Sequence, residues 1–396
     1  MNNDIQLPLL LIGVGGGGSR LAAAIHKLYA EPMRTVCIDT DALANRELAA
    51  ENIPCLLIGA ARLAGNGTGG DAVKGRLAIQ DDINLLLPHL QGIRTAVVLT
   101  CMGAGTGSGV TPEVVSTLHD QGIATLCIAT EPFSFEGSAR CAIANRARAM
   151  IEEHVDSLCL VKLDDLFNAT HEVQLPAAIA TANEILASGV TLLWRLLTRP
   201  GFLSMNSERL HSFIVHGGLT RFGTAQATGA DRVAAVTKAL YESPLLQSGE
   251  ALKKANAILV GILAGSDLRL AEIGDIMKTL RSYCKPDCQI EMGTVLDASF
   301  EWRIELVLFC SESASAAIPE TKKDHAAPTS PAATPSVPPA EVFHIQPGSA
   351  KRSKGKSKLA VGATGKGKFQ NVEPTIFNGQ DLDIPTYIRK NIQLDR

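Results

Sequence analysis

The chain has no apolar run long enough to cross a bilayer. A spanning helix needs about 18 or more consecutive apolar residues. The most apolar long stretch, Pro176–Pro200, is interrupted by Glu184 and Arg195, so a membrane span is not expected. The first apolar run, Leu7–Val14, is short, has no basic flank before it and enters a glycine loop. It reads as a strand and not as a signal peptide. A surplus of one charge is also missing. Lys+Arg 37 against Asp+Glu 40 leaves a net charge of −3, which gives no global reason to expect nucleic acid as a partner. The nine cysteines include one close pair, Cys284 and Cys288, without the second pair that would complete a zinc site. Reduced thiols, no bound structural metal and a cytoplasmic setting are the plain reading. No G-x-x-x-x-G-K-[ST] segment occurs, which excludes an ordinary P-loop enzyme.

What is present is enough apolar residue for more than one core: 46% hydrophobic over 396 residues, with 19% charged. In residues 1–175, apolar runs such as Thr35–Asp39, Thr95–Thr100 and Ala124–Thr130 alternate with turn residues and helical periodicity. Repeated strand–loop–helix units predict an α/β, Rossmann-like parallel sheet covered on both faces. Residues 176–200 read as one long, mostly apolar central helix, started by Pro176 and stopped by Arg199-Pro200-Gly201. Residues 201–310 carry strand patterns at Asn256–Ala264, Gln289–Leu296 and Arg303–Cys310 and a helix at Leu268–Lys278, a smaller α+β second domain. Residues 311–372 form a linker rich in Ala, Pro, Ser and Thr, then Lys and Arg, with too little apolar surface to order itself. Residues 373–396 regain apolar character as a short terminal peptide.

Two glycine loops carry the chemistry. Gly13-Val14-Gly15-Gly16-Gly17-Gly18 follows the first strand and opens a helix, and Asp39 closes the next strand. Taken alone, this is a dinucleotide fingerprint, in which backbone N–H groups at a helix N-terminus receive a pyrophosphate and the acid takes a ribose. A tight strand–helix turn without ligand fits it as well. The second loop, Gly103-Ala104-Gly105-Thr106-Gly107-Ser108-Gly109, follows another strand and leads to a helix starting near Thr111-Pro112. Two such loops at strand ends of one sheet suit a triphosphate better than a pyrophosphate. A third loop, Gly65–Gly70, is either a cover over phosphates or an ordinary surface turn.

Gly103–Gly109 resembles the tubulin signature loop, and further segments resemble the FtsZ branch of the tubulin/FtsZ family in the same order. They are Ile38–Ala42, Glu131–Gly137, Leu197–Gly201, Ser243–Leu246 and Ala264–Leu270, and finally Asp381–Lys390, which is similar to the FtsZ C-terminal peptide. The resemblance implies a GTP/GDP-binding domain, Mg2+ accompanying the nucleotide, and GTPase activity. It implies head-to-tail self-assembly into filaments, in which one subunit completes the next one's site at the division septum. It implies a membrane-tethering division protein as partner of Asp381–Lys390. By position it assigns nucleotide contacts to Gly15, Gly16, Gly17, Gly18 and Arg20, and to Gly103, Ala104, Gly105, Thr106, Gly107, Ser108 and Gly109. Glu136 and Arg140 fall on the ribose and base side, with Asn183 and Glu184 on the central helix; as residues, Glu136 and Arg140 also read as a solvated pair at a helix start.

The departures from the family pattern are concentrated. Asp39 stands where Asn is usual, Leu163 where Asn is expected near the ribose, and Ile179 near the place of the aromatic that stacks on the base. Glu184 replaces the guanine-binding Asp, keeping the carboxylate with one more methylene. After the central helix, the family's two water-positioning acids fall on Asn206 and Arg209, with Glu208 the remaining acid. These three are the candidate catalytic residues, and they imply slow, assembly-dependent hydrolysis. The alternatives are a scaffold of the same fold without turnover and an NAD-linked oxidoreductase built on the first loop alone.

Overall fold

The computed structural model describes residues 9–27, 33–167, 174–198, 203, 205, 207–312, 376–377 and 380–381. The linker beyond Glu312, most of the terminal peptide, the stop at Arg199–Gly201, Ser204 and the candidate catalytic Asn206 lie outside these residues.

The strands are β1 (Leu9–Val14), β2 (Arg34–Asp39), β3 (Cys55–Leu57), β4 (Thr95–Cys101), β5 (Ala124–Glu131), β6 (Ser157–Lys162), β7 (Gly218–Thr228), β8 (Ala257–Ala264), β9 (Gln289–Leu296) and β10 (Arg303–Ser311). They form one ten-stranded sheet in the order β3-β2-β1-β4-β5-β6-β7-β10-β8-β9. All pairings from β3 to β7 are parallel. β10 runs antiparallel to both β7 and β8, and β8 pairs with β9 in parallel. A further short antiparallel ladder joins β11 (Ile376–Phe377) to β12 (Gln380–Asp381).

The helices are α1 (Gly15–Lys27), α2 (Ala42–Ala49), α3 (Ala60–Leu63), α4 (Ala72–Asp82), α5 (Gly105–Asp120), α6 (Ser138–Glu152), α7 (Leu163–Phe167), α8 (Leu175–Thr198), α9 (Ser207–Val215), α10 (Arg232–Tyr241), α11 (Glu250–Lys254) and α12 (Leu270–Tyr283). β1 is buried at every position, as expected for a central strand covered on both faces. On one face Leu10, Ile12 and Val98 pack with Val110, Val114 and Leu118 of α5. On the other, Leu9, Leu11 and Val97 pack with Ile25 of α1 and Val190 and Trp194 of α8. A third cluster, around Val260, Ile276 and Leu306, fills the space between α10, α12 and the far end of the sheet.

Strand β7 was not anticipated, and it joins the two halves of the sheet. Its contact with β6 is short: Ser157↔Gly218, Leu158↔Leu219 and Cys159↔Thr220. Helix α8 lies across this seam, packed on α1 and on β7 to β10. Its hold on the far half is a notch. Gly261 of β8 and Gly293 of β9 are register partners. A Cβ built at Gly261 would lie 1.9 Å from Leu192 Cδ2, and one at Gly293 would lie 2.5 Å from Leu196 Cδ2. Two leucines one turn apart on α8 therefore sit in a groove that exists because both strands lack a side chain there.

Candidate functional site

Strand order reverses between β1 and β4: β2 and β3 lie on one side, β5 and β6 on the other. In open α/β sheets, ligands bind at the carboxyl ends of the strands beside such a reversal. Both glycine loops leave from there. Gly15, with φ +69°, turns the chain from β1 directly into α1. A Cβ built on it would lie 2.9 Å from the backbone nitrogen of Gly107. The two loops are thus in contact, and the N-termini of α1 and α5 converge. Neither helix has an acidic residue in its first turn, so the partial positive charge of both ends remains available to an anion.

The second helix begins earlier than its sequence pattern suggests. α5 starts at Gly105, within the glycine loop, and carries Pro112 inside it. Thr111 Oγ1 donates to Gly107 O at 2.6 Å and lies 2.9 Å from Thr100 Oγ1, which anchors this glycine-rich first stretch to β4. Gly103 N–H donates to Ser108 Oγ at 2.9 Å and closes the turn before the helix. The remaining glycines serve close packing. A Cβ at Gly18 would meet Leu99 O at 2.1 Å, and one at Gly109 would meet Ala72 O at 2.1 Å. Gly18, Gly103, Ser108 and Gly109 accordingly build the loops from behind and do not line the cleft.

The cleft between the loops measures about 450 Å³. Gly15, Gly16, Gly17, Arg20, Ala104, Gly105, Thr106 and Gly107 form its phosphate-sized end. Thr68 and Gly70 also line it, which resolves the third glycine loop as part of the site. A Cβ at Gly105 would lie 2.1 Å from Thr68 Oγ1. Thr40 and Thr106 hydroxyls meet at 2.8 Å and tie the loop after β2 to the second glycine loop.

The opposite end is formed by Pro132, Phe133, Glu136, Arg140, Leu163, Ile179, Ala182 and Asn183. Glu136 is ion-paired to Arg140 one turn later and also accepts from Phe133 N–H at 2.9 Å. Asp164 accepts from Ser134 N–H at 3.0 Å and pins the same loop to α7. Phe133 stacks on Phe135, with centroids 4.8 Å apart and planes 16° apart. A ring is thus present at the wall where Ile179 supplies none. Thr68 and Phe133 fall in segments that the sequence already marks, the third glycine loop and Glu131–Gly137; Cys101 and Thr130 were not among the sequence candidates, although they sit at the carboxyl ends of β4 and β5, where a ligand was due.

Besides the four loop residues that stand behind it, three further sequence candidates do not enter the cleft. Glu184 lines a separate hollow of about 280 Å³ together with Thr191, Arg195, Phe300, Arg303 and Glu305. Glu208 and Arg209, at the start of α9, are occupied on their own chain. Glu208 is held by both terminal nitrogens of Arg94, and this guanidinium pulls its carboxyl below the ordinary range. Arg209 pairs with Glu291 at 2.6 Å. Among the described residues, no group of His, Cys, Asp and Glu is arranged to hold a metal ion by protein ligands alone.

Asp39 shapes the electrostatics beside the first loop. It is buried; Oδ1 accepts from Thr40 N–H at 2.7 Å, and Oδ2 has no partner. A Cβ at Gly16 would stand 3.6 Å from Asp39 Oδ2 and 3.7 Å from the Arg20 guanidinium. Burial raises the Asp39 carboxyl above its usual value, only partly opposed by backbone donors and Arg20. The folded state therefore holds this proton more tightly than the unfolded chain. Its contribution to stability is present at low pH and is lost as pH rises through the raised value. Asp39→Asn removes that loss. The nucleotide-free variant should be more stable than the parent near pH 7.5 by roughly 1 kcal/mol, and the gap should close toward pH 4. Parallel melting curves across that range would refute this account.

A model of the tubulin/FtsZ family GTPase domain matches residues 8–171, and a model of the FtsZ family C-terminal domain matches residues 218–311. The chain is 32% identical over 299 residues to the cell division protein FtsZ of Pseudomonas putida, covering 75% of this chain and 74% of the relative. It is 32% identical over 289 residues to the cell division protein FtsZ of Pseudomonas aeruginosa, covering 73% of each. The solved structure of an empty FtsZ dimer from M. jannaschii superposes with a TM-score of 0.73 at 24% identity, covering 78% of this chain and 89% of that one. The fold and the double glycine-loop cleft define a nucleotide-binding protein of the parallel-sheet class. The chain belongs to the tubulin/FtsZ GTPase family and is an FtsZ-like cell division protein. Among the described residues, no helix is long and apolar enough to cross a membrane.

Proposed function

We propose that this chain binds GTP between its two glycine loops, assembles head-to-tail at the division septum in the cytoplasm, and hydrolyses GTP slowly at the contact between subunits. The convergence of the α1 and α5 N-termini on one cleft is the observation that carries the nucleotide reading. The backbone N–H groups of Gly15–Gly17 and Ala104–Gly107 would receive the phosphates. A hydrated Mg2+ would ride on those phosphates. Mg2+ supplies charge neutralisation.

The slow step rests on Glu208 and Arg209. An acid helps a water attack by accepting its proton, and a carboxyl held low by Arg94 is a poor acceptor. Arginine accepts no proton at all. Its other use, stabilising charge on the transferred phosphoryl group of the next subunit, requires it to leave Glu291. If both pairs persist in the filament, the chain is a nucleotide-binding scaffold without turnover; that is the second reading. The peptide Asp381–Lys390 would recruit a membrane-tethering division protein.

Phosphate release against protein concentration, run beside sedimentation, tests these roles. Release per subunit should be near zero in dilute solution and rise once pelletable polymer forms. Arg94→Ala should raise it by releasing Glu208, and Glu208→Ala should remove that gain. Rapid release by dilute protein would overturn the shared site, and no release from pelleted polymer would establish the scaffold. A chain ending at Gln380 should still pellet and should no longer reach the septum.

A further inference from the structure

Cys284 and Cys288, the close pair in the sequence, meet where α12 gives way to β9. Cys284 is the C-cap of α12. Its N–H donates to Arg281 O at 3.3 Å and its thiol to Leu280 O at 3.0 Å. Lys285-Pro286-Asp287 then turns the chain back, and Cys288 N–H closes the turn on Lys285 O at 3.1 Å. Proline is preset for the second position of such a turn. β9, an edge strand of the sheet, starts at the next residue. The turn brings the two thiols together, and each is the strongest influence on the other's proton. Positive charge lies around them. The Arg281 guanidinium donates to Cys288 O, and Lys285 Nζ is held by Asn256 Oδ1 at 2.9 Å. Asp287 is the acid that opposes these two cations. Cys284 is half-buried and Cys288 is buried, so solvent reaches the pair through Cys284. The other facing pair, Cys37 and Cys55, is fixed on adjacent strands, and burial, ahead of the charge of Cys55, pushes the Cys37 thiol up to about 12.

We propose that Cys284 and Cys288 are a reversible oxidation site, a dithiol that a low-molecular-weight disulfide converts to an intrachain disulfide stapling the end of α12 to the start of β9. A thiolate is the attacking species in such an exchange. The pair gives up its first proton more readily than a lone thiol, because the remaining S–H donates to the thiolate and Arg281 adds positive charge; it holds the second proton more tightly. Cys284, the accessible member, attacks one sulfur of oxidised glutathione while the proton of the pair passes to the Cys288 sulfur. The glutathione S–S bond breaks, a mixed disulfide forms on Cys284, and one glutathione leaves as thiolate. Cys288 then attacks the Cys284 sulfur. The new S–S bond forms, and the second glutathione leaves with the proton that Cys288 gives up. Two electrons pass from the protein sulfurs to glutathione. Excess reduced glutathione runs the same steps backward, so the pair rests as the dithiol in a reducing compartment.

The test is treatment of the folded full-length chain with excess oxidised glutathione, followed by denaturation, alkylation of the remaining thiols and mass analysis of the tryptic peptide 282–303. This peptide holds both cysteines, because Lys285 precedes Pro286 and is not cut. In the parent it should lose both alkyl groups and be lighter than the dithiol by two hydrogens. Excess reduced glutathione should restore both alkylatable thiols. Cys288→Ser should stop at the mixed disulfide, its peptide gaining one glutathione on Cys284. Cys284→Ser should leave the buried Cys288 alkylatable, and Cys37 and Cys55 should stay alkylatable throughout. Melting of each variant checks that it is folded, and the parent peptide decides the matter without them. A parent peptide that keeps both thiols would overturn the inference. A disulfide from Cys284 or Cys288 to any other cysteine, or to a second chain, would overturn it as well.

Discussion

Gly16→Asp should abolish nucleotide binding and leave the nucleotide-free fold standing. The position separates the two effects because it has room. A Cβ there meets nothing closer than 3.6 Å, and its backbone is not in the left-handed region. The new carboxylate would point into the phosphate end of the cleft, where it meets negative charge at short range. The affinity loss should exceed about 100-fold, whereas Gly16→Ala should lose much less. Melting of the nucleotide-free variant should fall by a few degrees at most, with Arg20 close enough to offset part of the added charge. Gly107 cannot serve the same purpose, although the sequence makes it an obvious target. A Cβ there would lie 2.3 Å from the Cys101 carbonyl oxygen, so any side chain displaces α5 from β4. Gly16→Asp protein that still binds GTP tightly would mean that the first loop does not hold phosphate.

The largest stability effect should come from Gly261→Val. The valine would stand where Leu192 already is, and its β-carbon alone would overlap Leu192 Cδ2 at 1.9 Å. Leu192 is buried, so the added volume must push α8 off the sheet. Overpacking of this kind costs about 3 kcal/mol, equivalent to a melting temperature lower by about 6–9 °C in a chain of this size. Leu192→Ala in the same background should recover part of the loss, because the two changes share one space. Additive losses in that double-mutant cycle would show that the leucine does not occupy the notch.

The two glycine loops were legible because glycine punctuation is local: each loop is read from a few consecutive residues between a strand and a helix. The same locality explains the misses. Strand β7 is half exposed and reads Gly-Leu-Thr-Arg-Phe-Gly-Thr-Ala-Gln-Ala-Thr, without the apolar run that marked its neighbours. The start of α5 was placed too late because Thr111-Pro112 looks like a helix beginning, whereas Gly105–Ser108 are helical through contacts with β4 and the Thr68 loop. Glu184 matched the family's acid by position, but position along a chain does not say which of two cavities a helix face borders. Glu208 looked like a spare acid because its partner, Arg94, is 114 residues away in sequence. The cysteines were read as unpaired thiols, and all nine are free.

The short seam between β6 and β7 has a mechanical consequence. Three registered pairs join those strands, against six between β5 and β6 and nine between β7 and β10. Bending stiffness across a sheet follows the number of rungs that must be sheared, so among the inner pairings of the sheet this line is the most compliant, the equally short β2–β3 ladder lying at the edge. Helix α8 crosses the line as a strut, with its beginning against the nucleotide cleft and Leu192 and Leu196 seated beyond the seam. Load applied to either half is concentrated at the seam and carried across it mainly by that helix, with the smaller contact of α7 on Pro244–Leu246 beside it. A filament built from such subunits would flex at a repeated, predetermined place within each subunit, while the cleft and the far half of the sheet each keep their shape.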